Sequence, residues 1–427
     1  MSKDKKPDGK HKASKVDREG DGPDISNFDN FMDTITKGVD RITNVDPNTA
    51  VRWLSCYNVA TNLALSGHPE RGLPVGRIIN FEGESDTGKT LLALTCMRET
   101  QKQYGSLFRG LVIDSERGQS LQRNADLGIM VKKKPKNAKK PNVEDGEDDT
   151  GDPRAGTFKV IQTTDVTTVA DNILPPFLAA ARAHPEMMFI LLIDSVSMLV
   201  TEHERSTDFG TRDMARAQEL RKLMRLLNDG YSDNLTVFLV HHQTDRIATA
   251  GKQLTAQQGT HDKTIGGGKA MKFVPSVRLE ISYGGKERRG SGDNERIIGA
   301  KCKIQVIKTR LYRPLLIAQT YIDHNTGFTQ LGGLADQLEQ QGVITSPSQG
   351  FKQCKALFGD KKWREADLEQ ELEKPENARK VVDMIVEKMQ MASFGEGDEA
   401  EQAKTEADPL DLDSLEALAT KSADTKK

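Results

Sequence analysis

Short apolar runs separated by helical stretches organise the middle of the chain. Residues 78–81, 111–113, 158–161, 189–193 and 237–240 are apolar runs of strand length. Between them, residues 89–103, 166–183 and 211–229 carry the spacing of helices. Strands alternating with helices predict an α/β fold with a parallel sheet covered on both faces. Residues 274–323 predict an antiparallel continuation of that sheet, with a Gly-rich turn near 284–292. Upstream, Phe28, Phe31, Met32, Ile35, Val39 and Ile42 share one face of a helix. That face either packs on its own core or docks on a neighbouring subunit.

Composition sets the boundaries. Apolar residues are 36% and charged residues 29% of the 427, which fits a normal core diluted by polar segments. Residues 1–24 are rich in Lys, Asp and Gly and are expected to be a disordered tail. Residues 25–70 form an N-terminal helical and oligomerisation segment, and 71–330 the core. Residues 132–156 interrupt the core with a basic block followed by an acidic one, the pattern of an exposed insertion. Residues 331–392, mixed in charge and helical with one Trp, Trp363, predict a small C-terminal domain, and 393–427 an acidic tail.

A net charge of −2 gives no global field to attract nucleic acid, so any such contact must be local. Cys56, Cys96, Cys302 and Cys354 are far apart in sequence and form no C-x-x-C pair. That argues against zinc and disulfide frameworks and fits a reducing compartment. The longest apolar run, 187–193, is too short to span a bilayer, and the Lys-rich N-terminus lacks the apolar stretch of a secretory signal. The expectation is a soluble cytoplasmic protein without a membrane partner.

The chemistry begins at Gly83-Glu84-Ser85-Asp86-Thr87-Gly88-Lys89-Thr90, which matches G-x-x-x-x-G-K-[ST] between a predicted strand and a predicted helix. The glycines let the backbone curl so that its N–H groups face phosphates, and the helix N-terminus adds positive potential. Lys89 would reach the β- and γ-phosphates of ATP, and Thr90 would hold Mg²⁺. The run at 187–193 ends in Asp194, placed to hold the same ion from the sheet's carboxyl edge. A second strand ends in Asp114-Ser115-Glu116, where a carboxylate would orient or deprotonate water. Either acid would equally serve to cap the next helix.

Together these pieces resemble the RecA family of recombinases over about residues 51–391. Gly72-Leu73-Pro74-Val75-Gly76-Arg77, Ile113-Asp114-Ser115-Glu116 and Leu192-Ile193-Asp194-Ser195-Val196 resemble family segments in the family's order. So do Thr264 to Phe273, Val277-Arg278-Leu279-Glu280-Ile281 and Val306-Ile307-Lys308-Thr309-Arg310. The resemblance implies a RecA-type P-loop core with a mostly parallel sheet, an N-terminal helical segment and a small C-terminal α/β domain. It implies Glu116 as general base, and Lys308 and Arg310 as cations reaching ATP bound by the next subunit. The γ-phosphate sensor falls at His242, with Gln243 as the alternative. The adenine-stacking position holds Arg123 where the family has tyrosine. The first DNA loop would lie near 202–212. The second, about 244–272, carries Arg246, Lys252, Lys263, Gly266, Gly267, Gly268, Lys269 and Lys272. That loop lacks a Phe wedge, leaving Ile247 and Leu254 as apolar candidates. The His-containing sensor and the three glycines lean toward phage recombinases of the UvsX type.

The function so implied is a DNA-dependent ATPase that forms filaments on single-stranded DNA and pairs it with a homologous duplex. It would work in the cytoplasm of a bacterial or phage-infected cell. A RecA-fold DNA motor or helicase would share the P-loop and the trans cations. A non-catalytic ATP-binding loading factor would not need Lys89, Thr90, Asp194 and Glu116 together. A small-molecule kinase would leave the Gly-rich second loop and the Lys308/Arg310 pair unexplained.

Overall fold

The computed structural model describes residues 52–129, 152–202, 204, 214–230, 232–245, 263–265, 270–289 and 296–391. The N-terminal helix, most of the 132–156 insertion, most of both proposed DNA loops and the acidic tail lie outside the described residues.

In chain order the described elements begin with β1 (Trp53–Leu54), α1 (Val59–Ser66), β2 (Leu73–Pro74), β3 (Ile78–Gly83) and α2 (Lys89–Tyr104). Then come β4 (Phe108–Asp114), α3 (Leu121–Asp126), β5 (Phe158–Gln162), α4 (Leu174–Ala183), β6 (Met188–Asp194) and α5 (Met214–Asp229). The sheet continues through β7 (Leu235–Asp245), β8 (Lys263–Ile265), the short α6 (Ala270–Phe273), β9 (Val277–Arg289), β10 (Arg296–Lys308), β11 (Ile317–Asp323) and β12 (Gly327–Phe328). The main path runs β12-β11-β10-β9-β3-β7-β6-β4-β5, and β8 pairs with β7. Pairings from β9 through β3, β7, β6 and β4 to β5 are parallel; β9–β10, β10–β11, β11–β12 and β7–β8 are antiparallel. The parallel sheet and its antiparallel extension therefore lie where the hydrophobic pattern put them.

Central strands are apolar throughout because both faces are covered, yet period 2 still sorts their side chains. In β6, Met188, Ile190 and Leu192 enter one core with Phe81, Phe238 and the α2 residues Leu92, Cys96 and Met97. Phe189, Leu191 and Ile193 enter the other, with Val237, Leu239 and the α5 residues Leu220, Leu223, Met224 and Leu227. The last four recur at i, i+3, i+4 and i+7, one helical stripe. Each fully buried aliphatic side chain contributes about 1.5–3 kcal/mol.

The predicted helix over 166–183 is not uniform. Thr168–Ile173 is a π-helical turn, and the Leu174 N–H bonds to the Val169 carbonyl. Pro175 and Pro176 follow in the first turn of α4 and contribute no N–H, so the wider turn precedes them.

Beyond the large sheet lie α7 (Leu334–Gln340), β13 (Ile344–Ser348), β14 (Phe351–Cys354), α8 (Lys355–Phe358), β15 (Trp363–Arg364), α9 (Glu365–Leu372) and α10 (Pro375–Met391). β13, β14 and β15 form a separate antiparallel sheet. Their module is not packed independently. Leu338, Ile344, Leu368, Val381 and Ile385 belong to the same apolar cluster as Leu92 and Leu192. The Tyr321 hydroxyl of β11 donates to Glu369 of α9 at 2.5 Å.

Candidate nucleotide site

Parallel pairing brings several strand ends to one edge of the sheet, the edge where α/β folds bind ligands. Gly83 lies beside His242, and Asp114 beside Asp194. Gly83 must be glycine, because a Cβ there would sit 2.1 Å from the Ile281 carbonyl oxygen. Gly88, at φ 92°, takes a backbone conformation that favours glycine and opens directly into α2. The Thr87 hydroxyl donates to the Glu84 carbonyl at 3.0 Å, and Lys89 Nζ donates to the same oxygen. Lys89 is buried. Burial lowers its pKa, while the charges of Glu116, Asp194, Asp86 and Glu84 pull it back up. The loop 83–90 is thus closed on itself around its own lysine.

Thr90 Oγ1 donates to both Asp194 carboxylate oxygens, at 3.0 and 3.1 Å. Gln119 Nε2 donates to Asp194 Oδ2 at 3.0 Å. Burial pushes the Asp194 carboxyl up to about 6; Thr90 and Gln119 oppose this, and the negative charges of Glu116 and Asp114 add to it. The buried Asp194 carboxylate and the Thr90 hydroxyl bonded to it are hard oxygen donors, with the negative charges of Glu116 and Asp114 nearby. They fit a divalent cation such as Mg²⁺.

The two acids at the end of β4 have separate tasks. Asp114 is buried; its carboxylate accepts the Gly118 and Gln119 N–H groups at 3.2 and 3.0 Å, and Gln162 Nε2 at 3.3 Å. It braces the turn that follows β4, whereas the next helix, α3, is capped by Ser120 and not by either acid. Glu116 is exposed, and His242 Nε2 lies 2.6 Å from its Oε1. The other ring nitrogen, Nδ1, lies 3.4 Å from Ser85 Oγ of the P-loop. Partial desolvation raises the Glu116 pKa, but Ser195, His242 and the Lys89 ammonium outweigh it and leave the carboxyl below its ordinary value. Strand alternation places the two sensor candidates on opposite sides of β7. His242 faces the P-loop, with its N–H bonded to Ser197 Oγ at 3.1 Å, whereas Gln243 shares the opposite side of β7 with His241.

Other sequence candidates lie apart from this group. Arg123 is exposed on α3, and its guanidinium bonds the carbonyls of His324 at 2.9 Å and Asn325 at 3.4 Å. Lys308 Nζ donates to the carbonyls of Phe273 and Pro275 at 2.8 and 2.7 Å, and Arg310 to that of Phe273 at 3.3 Å. Both cations are therefore seated on the segment 273–275, and among the described residues neither bonds to the P-loop of its own chain. Lys272 lies on α6, and Lys263 opens β8. Arg246, Lys252, Gly266, Gly267, Gly268 and Lys269 lie outside the described residues.

Two further groups were missed by sequence reasoning. Gln119 belongs to no motif. Glu82, buried one residue before the P-loop, pairs with Arg278 through two hydrogen bonds of 2.6 and 2.8 Å. In register, Lys308 lies beside Arg278, Arg278 beside Asn80, and Glu82 beside His241, so a polar row crosses four strands. Asn80 also donates to the Met271 carbonyl of α6 at 2.8 Å. Burial lowers the His241 pKa to about 4, with Glu82 opposing and Arg278 and His242 assisting, so the ring is neutral at pH 7. Among the described residues no helix is long and apolar enough to cross a membrane.

Comparison with known proteins gives the same reading. A family model described as the RecA N-terminal domain matches residues 178–329, a span that includes Asp194, His242, Lys308 and Arg310. Protein RecA of Trichormus variabilis is 26% identical over 374 residues, covering 86% of this chain and 89% of the relative. Protein RecA of Thermosynechococcus vestitus is 27% identical over 298 residues, 69% and 70% of the two chains. Protein RecA of Synechococcus elongatus is 28% identical over 297 residues, 69% of each. The family model matches from α4 to β12 and these relatives match along most of the chain, so the chain is similar to RecA proteins over most of its length.

Proposed function

We propose that the protein is an ATP-dependent recombinase that assembles as a filament on single-stranded DNA and exchanges strands with a homologous duplex. The observation that carries this reading is the path of β7. The strand delivers His242 to Glu116 and Ser85, then runs on toward the second loop. The far end of that loop returns through α6 to the seats of Lys308 and Arg310. One strand therefore carries His242 to Ser85 and Glu116 and leads into the Gly-rich basic stretch of sequence, and the residues after that stretch seat Lys308 and Arg310, which supports the reading.

In the proposed mechanism the P-loop N–H groups and Lys89 hold the phosphates of ATP. Thr90 and Asp194 would hold Mg²⁺, which when bound neutralises charge on the β- and γ-phosphates. Glu116 accepts a proton from the attacking water as its oxygen bonds the γ-phosphorus and the bond to the β-phosphate oxygen breaks. ADP and phosphate are the products. His242 restrains the Glu116 carboxylate and reports the occupancy of the P-loop along β7. Lys308 and Arg310 would neutralise charge at the nucleotide of an adjacent copy. Arg246, Lys252, Lys263, Lys269 and Lys272 would contact DNA phosphates, leaving sequence recognition to base pairing.

ATP hydrolysis by the purified chain, measured with and without single-stranded DNA, tests the reading. Strong stimulation is expected, with helical filaments by electron microscopy in the presence of a slowly hydrolysed ATP analogue. Closed rings would favour a motor. ATP binding without stimulated turnover would favour a loading factor.

A further inference from the structure

We propose that Gln119 is a positioning residue that selects which oxygen of the Asp194 carboxylate serves the cation, and that locks the Glu116-bearing turn to that carboxylate. The proposal rests on the nucleotide reading above.

The geometry has three parts. First, the two oxygens of Asp194 are not equivalent. Thr90 Oγ1 is shared between them at 3.0 and 3.1 Å, whereas Gln119 Nε2 engages Oδ2 alone at 3.0 Å. The Gln119 amide donates and carries no charge to compete with a cation, so it occupies one lone pair of Oδ2 and leaves Oδ1, which has only the shared Thr90 hydroxyl, as the less engaged oxygen for a hard ion. Second, the amide has a fixed base. The Gln119 and Gly118 N–H groups donate to the two oxygens of Asp114, a buried side chain in register with Asp194 on the adjacent strand. Third, the same turn carries Glu116 between these anchors, with its carboxylate at His242. Gln119 therefore ties the hydrolytic carboxylate and the cation's carboxylate into one rigid unit. Seating of the turn 115–119 and orientation of Asp194 become a single event.

Gln119→Met removes the donor at nearly constant length, and Gln119→Asn keeps an amide too short to reach. The readout is Mn²⁺ affinity of the ADP-bound chain, followed by the free-ion electron paramagnetic resonance signal, beside ADP affinity in EDTA. Both variants are expected to bind Mn²⁺ about tenfold more weakly, with metal-free ADP affinity within twofold of wild type. In steady-state hydrolysis the half-saturating Mg²⁺ should rise while the rate at saturating Mg²⁺ falls less. Circular dichroism identifies a variant that fails to fold, in which case the other decides. Mn²⁺ affinity within twofold of wild type in a folded variant would overturn the proposal while leaving the nucleotide site standing. A wild-type chain that binds neither ADP nor Mn²⁺ would remove both.

Discussion

Glu116→Gln separates charge from shape at the hydrolytic site. Gln has the length of Glu and retains an oxygen for the His242 Nε2 that lies 2.6 Å from Oε1. The β4 end that holds it is anchored by Asp114, which the substitution does not touch. What is lost is the anion that accepts a proton and the negative charge that raises the Lys89 pKa. General-base catalysis by a positioned carboxylate contributes about 10²–10⁴-fold, or roughly 2.7–5.5 kcal/mol at 1.36 kcal/mol per decade. Turnover should fall by that factor. ATP affinity should hold or tighten, because an anion is removed from beside the phosphates, and ATP-dependent binding of single-stranded DNA should persist. Single-turnover phosphate release and fluorescence anisotropy of a labelled oligonucleotide measure the two quantities. Turnover within threefold of wild type would refute the assignment of Glu116 as base. Loss of ATP binding would assign the carboxylate to nucleotide affinity.

Three further outcomes follow from the geometry. Glu82→Gln leaves the Arg278 guanidinium, 15% exposed, without its anion and should cost about 3–5 kcal/mol, read as a lower denaturation midpoint at unchanged slope; a shift under 1 kcal/mol would show the pair to be solvated. The polar neighbours of Glu116 hold its pKa below the ordinary value, so protonation of the base contributes an acid limb to the pH–rate profile below the point where a free carboxylate would titrate. Replacing His242 by Leu removes one of those neighbours and should move that acid limb of the pH–rate profile upward; an unmoved limb would detach His242 from the base. Mixing inactive Lys308→Ala and Lys89→Ala chains should restore part of the hydrolysis if the Lys308 of one copy serves the P-loop of another, and light scattering establishes that the mixture assembles; an assembled but inactive mixture would count against the trans role.

The parts of the molecule legible in the sequence are those fixed by local pattern. Strand runs such as 189–193 and the closing Asp194 follow from a buried strand meeting the sheet's edge, and the P-loop from its glycine spacing. The rest depends on pairing between distant segments. Gln119 and Asp194 are 75 residues apart, and Glu82 and Arg278 are 196 apart. Neither contact leaves a periodic trace, because each involves one polar side chain whose partner is set by strand order. The choice between His242 and Gln243 stayed open for a related reason. After Val240 the strand carries no apolar alternation to mark its faces, and only the register of Gly83 beside His242 supplies it. The π-helical turn at Thr168–Ile173 was hidden because Val169, Ala170 and Ile173 fall at spacings that suit any helix.

The buried pair between Glu82 and Arg278 has a mechanical consequence. Sliding β3 against β9 would strip a guanidinium of its anion inside the sheet, at a cost several times thermal energy. The two strands are thereby riveted, and the sheet moves at this seam as a plate. A push on the carbonyls of Phe273 and Pro275, where Lys308 and Arg310 rest, cannot be absorbed as local shear. It is passed to the strand that ends in Gly83, so that the segment 271–275 and the proposed phosphate cradle would share one lever.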